Sequence, residues 1–202
     1  VRGRKFLVTN GILFTIFAVL ILWVWQSGYL IVDLPPAKSE WAAEQAGFYD
    51  DNLEGLTGEG VKVCIVDTGI DLSNPAFSGV NIVFKDMIGD SSTPVDYGFL
   101  AHGTLMSGLL IAQSHQMGMS PNIQLGMVAA LGDDGSGKNT ADESDVAQAI
   151  NWCIETFGAD IISLSLGGTQ NDGMMREGPS ASVTRKAVDM GIFVVAAAGN
   201  DG

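Results

Sequence analysis

Basic residues are scarce in this chain: ten Lys and Arg stand against 23 Asp and Glu in 202 residues, a formal net charge of −13. Three of the ten, Arg2, Arg4 and Lys5, come before the first apolar run, so the remainder is more acidic than the total suggests. A partner as anionic as nucleic acid is therefore excluded. The acidity suits either a solvated, soluble surface or a high-salt or calcium-rich exterior. Cysteine is nearly absent, and Cys64 and Cys153 form neither a metal-ligand nor a redox spacing. Cys64 lies inside the apolar run Val61 to Val66 and Cys153 inside a helical pattern, so both are expected to behave as small buried hydrophobes. Neither identifies a redox compartment. Internal repeats and low-complexity tracts are lacking too. What is present, 47% hydrophobic residues and 26 Gly, suits one tightly turned globular domain with a sizeable core.

From Phe6 to Trp25 no charged residue occurs, and at about 1.5 Å per residue this run spans about 30 Å, one bilayer core. It reads as a transmembrane helix through residues 6–25 within a segment 1–30. Arg2, Arg4 and Lys5 before it and Asp33 after it put the N-terminus in the cytoplasm and the rest outside, with Trp23, Trp25 and Tyr29 as an outer aromatic belt. A cleaved signal peptide is the rival, but the run exceeds the usual core of about 7 to 15 residues, and Trp25-Gln-Ser-Gly28 is a poor cleavage site. An unbroken apolar surface also lacks the amphipathic face of a soluble helix.

Residues 31–57 read as a linker: Pro35 and Pro36 stiffen it, Glu40 to Ala46 suits a short helix, and a Gly-rich turn over Gly55 to Gly60 opens the domain at 58–202. There, apolar strands (Val61 to Val66, Gln124 to Ala130, Ile161 to Leu166, Ile192 to Ala198) alternate with helices (about His102 to Gln113, Glu143 to Phe157, about Ser180 to Met190). Strands apolar on both faces need helices above and below. The expected fold is a three-layer, doubly wound α/β domain with a mostly parallel sheet and its site at the carboxyl edge.

Four segments converge on that edge. Val63-Cys-Ile-Val-Asp67-Thr-Gly69 ends a strand in a carboxylate and a glycine turn; Ala101-His102-Gly-Thr104 opens a helix. Ile161-Ile-Ser-Leu-Ser165-Leu166-Gly167-Gly168 and Val194-Val-Ala-Ala-Ala-Gly199-Asn200 are strands that break into glycine, where backbone can approach a ligand. His115, in a polar loop with no partner motif, reads as structural.

In order and interval these segments resemble the subtilase family of serine proteases from about Gly58 to Gly202. The resemblance implies a catalytic Asp at Asp67, a catalytic His at His102 and an oxyanion-hole Asn at Asn200. It further implies that Ser165, Leu166, Gly167 and Gly168 bind substrate backbone and border the pocket before the scissile bond. The chemistry matches: an imidazole takes and returns the proton of a Ser hydroxyl, a buried carboxylate fixes its tautomer, and an amide stabilises the oxyanion. Contact between Asp67 and His102 is expected. The implied function is a serine endopeptidase acting on polypeptide substrates, membrane-tethered with its catalytic domain outside the cytoplasm. Leu105 replaces the family's usual second His, a structural position. Members often bind structural calcium in a loop, but Gln113 to Pro121 is shorter and carries no motif for it, so no metal ligand is assigned. Residues 30–60 have room for a linker and short helix, not for a folded propeptide. No Gly-Thr-Ser-x-Ala segment occurs, so the 202 residues alone are expected to be inactive and marginally stable. A catalytically inactive, peptide-binding relative remains the alternative; the run Gly132 to Lys138 lacks the phosphate-loop pattern of a nucleotide-binding domain. Oligomeric state does not follow from the sequence.

Overall fold

Two continuous apolar runs form the centre of the sheet: β1, Lys62–Asp67, and β3, Gln124–Ala129, each buried at every position after the first. Such strands cannot be sheet edges, and in the computed structural model they are paired in parallel, Lys62 opposite Gln124 through Asp67 opposite Ala129. The structure describes residues 2–26, 40–47, 50, 53–114, 118–168 and 178–199. Adding β2 (Ile82–Asp86), β6 (Ile161–Leu164) and β7 (Phe193–Ala196) completes a five-stranded parallel sheet in the order β2-β3-β1-β6-β7. A two-stranded antiparallel hairpin, β4 (Gly132–Asp133) with β5 (Asn139–Thr140), stands apart from it.

Alternation along the strands divides the core. Cys64 and Val66 of β1 and Ile162 and Leu164 of β6 face a cluster built with Val146, Ile150 and Ile154 and with Ala187. Those partners come from α4 (Glu143–Trp152), the π turn Cys153–Phe157 and α5 (Pro179–Asp189). Ile65 of β1 and Leu125 and Met127 of β3 face the opposite way, toward Ile111 of α3 (His102–Ile111) and Phe77. Each large side chain so buried contributes about 1.5 to 3 kcal/mol. The three-layer α/β arrangement with a parallel sheet is therefore observed, with strand ends one to two residues from those expected. Unanticipated were β2, the hairpin and the change to π geometry at Cys153 within the helix expected over residues 143–157.

Cys64 and Cys153 correct the expectation of two separate apolar side chains. Both are fully buried, but they are joined in a disulfide with a Cα–Cα distance of 5.8 Å. The π turn places Cys153 on the face of β1 toward which Cys64 points, within bonding geometry.

The chain divides into two units, Val1–Glu54 and Gly55–Gly202. The first holds α1 (Arg2–Gln26) and α2 (Glu40–Gln45). The side chains of α1 described without interruption run from Leu13 to Val24, and the large apolar ones among them from Leu13 to Trp23 are exposed. Among the described residues no helix is long and apolar enough to cross a membrane.

Candidate active site

Asp67 is the last residue of β1, and the odd-numbered positions of that strand face the layer formed by α3. His102 is the first residue of α3. The structure brings the two together: His102 Nδ1 lies 2.8 Å from Asp67 Oδ1. Their exposures differ in a useful way, the Asp67 side chain being 2% exposed and that of His102 37%. The same Oδ1 accepts the Thr68 amide at 2.7 Å. Asp67 Oδ2 is a buried side-chain oxygen with no hydrogen-bond partner among the described residues, unusual for a group that costs about 1 to 3 kcal/mol when unpaired.

Backbone contact makes this approach of α3 to β1 feasible. A Cβ on Gly103 would stand 2.1 Å from the Gly69 carbonyl oxygen, so the first turn of the helix closes on the turn after Asp67 only with glycine there. Immediately before His102 the chain adopts left-handed geometry at two non-glycine residues, Leu100 (φ 56°) and Ala101 (φ 50°). For an L-residue this costs about 1 to 2 kcal/mol, against which glycine's extra freedom in the unfolded chain offsets about 0.5 to 1 kcal/mol. Ala101→Gly is therefore expected to stabilise the chain by roughly 0.5 to 1 kcal/mol, read as a higher urea midpoint at unchanged slope. A lower midpoint would contradict the assignment of strain.

A second carboxylate, Asp86 at the end of β2, organises the loop leading to the site. It accepts the amides of Ile88, Gly89 and Ser91 and the Tyr97 hydroxyl at 2.7 to 3.0 Å. Burial alone would raise its pKa, but these four donors together outweigh burial and hold it below the ordinary carboxylate range. The same bond to Asp86 raises the pKa of the Tyr97 phenol. A lowered folded-state pKa contributes stability that is complete above the unfolded value and is lost as pH falls through the folded one. Asp86→Asn should accordingly unfold at lower urea than the parent at about pH 7, the gap closing as the pH falls below the ordinary carboxylate range. A gap independent of pH would show that the carboxylate charge is not what the four donors hold.

Of the residues expected to bind substrate, Ser165 and Leu166 are half-buried where the chain leaves β6, and Gly167 and Gly168 are exposed with open space around them. Asn200 and His115 lie outside the described residues. Leu105 stands 58% exposed on α3. Among the described residues no group of three His, Cys, Asp or Glu is placed to hold a metal ion. Sequence reasoning assigned no role to Asp86, Tyr97, Asp96, Thr68 or Thr104, which form two groups, Asp86 with Tyr97 and Asp96 with Thr68 and Thr104. Their one advance signal was the density of Asp, Ser and Thr ahead of His102.

A buried carboxylate paired to a half-exposed imidazole at the carboxyl edge of a parallel α/β sheet is an arrangement suited to acid–base chemistry. Comparison with known proteins narrows it. The subtilase family model matches residues 58–202, well over half the chain, and the protein belongs to that family. Similar relatives include subtilisin-like protease 1 of Trichophyton tonsurans, 33% identical over 154 residues, covering 73% of this chain and 27% of the relative. Subtilisin amylosacchariticus of Bacillus subtilis subsp. amylosacchariticus is 34% identical over 155 residues, covering 74% and 36%. Among solved structures, a mutant of the protease domain of PatA superposes with a TM-score of 0.62 at 25% identity, covering 74% of this chain and 54% of that one. A cold-adapted subtilisin-like serine proteinase shares the fold, with a TM-score of 0.58, 24% identity, and coverage of 72% and 49%. The chain spans about a third of the length of these curated relatives.

Proposed function

We propose that the protein is a serine endopeptidase in which His102 is the general base and acid and Asp67 orients it. The observation that carries this reading is the 2.8 Å contact between a buried carboxylate oxygen and His102 Nδ1, which leaves Nε2 to exchange a proton with a nucleophile. Asp67 fixes the Nδ1–H tautomer and stabilises the imidazolium formed as the Ser hydroxyl attacks. Asn200 would donate its side-chain amide to the oxyanion. The segment Ser165 to Gly168 would pair with an extended substrate, its glycines admitting peptide backbone. The nucleophilic Ser is not among the 202 residues, which by themselves hydrolyse nothing.

From the sequence, and not from any membrane-spanning helix among the described residues, we further propose that the enzyme works on the exterior side of a membrane, tethered through residues 6–25 with its N-terminus in the cytoplasm. Support comes from the uncharged run itself, the basic residues ahead of it and the exposure of its apolar side chains within α1. The Cys64–Cys153 bond adds to it, because disulfides persist outside the reducing cytosol. Fluorophosphonate labelling tests the activity: the full-length protein should label and cleave an unfolded polypeptide, and the 202-residue chain should do neither. Labelling of the short chain would overturn the assignment, and a full-length protein that binds peptide without cleaving it would establish the inactive, peptide-binding alternative. Protection of the Asp67 domain from added protease in intact cells would refute the topology.

A further inference from the structure

α3 begins without a conventional cap: its N-cap residue, Ala101, offers no side-chain hydrogen bond, yet the amides of the first turn are buried beside β1. Something else must accept them. Asp96 Oδ2 accepts the Thr104 amide at 2.9 Å and the Thr104 hydroxyl at 2.5 Å. Asp96 Oδ1 accepts the Thr68 hydroxyl at 2.7 Å and the Gly98 amide at 2.8 Å. Thr68 Oγ1 in turn accepts the Gly103 amide at 2.8 Å, and Thr104 Oγ1 accepts the Asp71 amide at 2.9 Å. Thr68 directly follows Asp67, and Thr104 lies two residues beyond His102. One carboxylate thus bridges the two segments that present the acid–imidazole pair.

We infer that Asp96 is a positioning residue for the Asp67–His102 pair, acting as a remote cap that locks the first turn of α3 onto the turn after β1. The chemistry requires an ionised carboxylate. Four donors converge on Asp96, and an amide in its place would turn N–H groups against two of them. Close packing fixes the geometry: a Cβ on Gly98 would lie 2.4 Å from Thr68 Oγ1, and one on Gly69 (φ 113°) 1.9 Å from the Val95 carbonyl oxygen. Helix, strap and strand end therefore have no slack to re-form the pair if the clamp opens. The negative charge also sits favourably at the helix N-terminus.

The inference rests on reading Asp67 and His102 as the proton relay, but it is tested without turnover. The 202 residues hold two histidines, and in the full-length protein the His102 signal is assigned by its loss in His102→Gln. Solvent exchange of the His102 Nδ1 proton is then followed by NMR in the full-length protein for Asp96→Asn, Thr104→Val, Thr68→Val and Thr104→Ser. A core variant outside the network, Val128→Ala, serves as the control for lost stability. Expected is an exchange rate at least about tenfold faster in the first three, near-parental exchange in Thr104→Ser, which keeps the hydroxyl, and little change in Val128→Ala. Parental exchange in a folded Asp96→Asn overturns the proposal, as does equal acceleration by Val128→Ala. Should Asp96→Asn not fold, the two Thr→Val variants decide. Because the readout is one hydrogen bond, its failure leaves the peptidase reading untouched, and absence of peptidase activity leaves the clamp measurable.

Discussion

Asp67→Asn in the full-length protein is expected to lower kcat by about four orders of magnitude with little change in KM, the size of effect known for this substitution in well-characterised Ser-His-Asp proteases. Asp67 Oδ1 holds His102 Nδ1 at 2.8 Å and also accepts the Thr68 amide. An Asn oxygen turned toward the Thr68 amide would weaken the pull on the imidazolium. Turned the other way, the side-chain NH₂ would meet Nδ1 and move the ring proton to Nε2, where it blocks acceptance from the nucleophile. Steady-state kinetics on a peptide substrate check this, with the unfolding midpoint measured in parallel. A folded variant that retains kcat within about tenfold would remove Asp67 from the mechanism.

The second large effect concerns stability. Cys64 and Cys153 are 89 residues apart, and closing so long a loop should stabilise the folded state by about 4.6 kcal/mol in the chain-entropy model. Against a total of about 5 to 15 kcal/mol for an ordinary domain this is a large fraction. Replacing both cysteines with Ala should therefore bring a marked fall in the urea midpoint, and reduction of the parent in denaturant should reproduce it. Cys64 is three residues upstream of Asp67 on β1, so the double variant should also accelerate exchange of the amides around Asp67. Coincident unfolding curves for parent and double variant would show that the bond contributes nothing to the fold.

The contact between Asp67 and His102 was legible because each sits in a short contiguous string whose backbone role is local: a strand running into a glycine turn, and a helix start needing glycine for close approach. The layered fold was legible for a related reason, since strands buried on both faces, such as β1 and β3, leave few alternatives. β2 was not, because it is a five-residue edge strand carrying Lys85 and an exposed Val83, without the unbroken apolar run that marked the others. The disulfide was hidden because its partners meet through tertiary packing, and the π turn that aligns Cys153 leaves no mark in helical periodicity. Asp96 was hidden similarly: its four donors come from residues 68, 98 and 104, and a carboxylate in an Asp-, Ser- and Thr-containing loop reads as solvated until the chain is folded around it.

The alternation of β1 has an implication for how its gene can change. Cys64 and Val66 look toward α4, Ile65 and Asp67 toward α3, and the strand is hydrogen-bonded to neighbours on both sides. An inserted or deleted codon between Cys64 and Asp67 would therefore turn one of these two bonding partners to the wrong side, with flanking strands blocking any slide. Substitutions among similar apolar residues can accumulate there, but the interval of three between Cys64 and Asp67 is fixed. Length variation should instead collect in exposed turns, such as the tip of the β4–β5 hairpin, where an added residue projects into solvent.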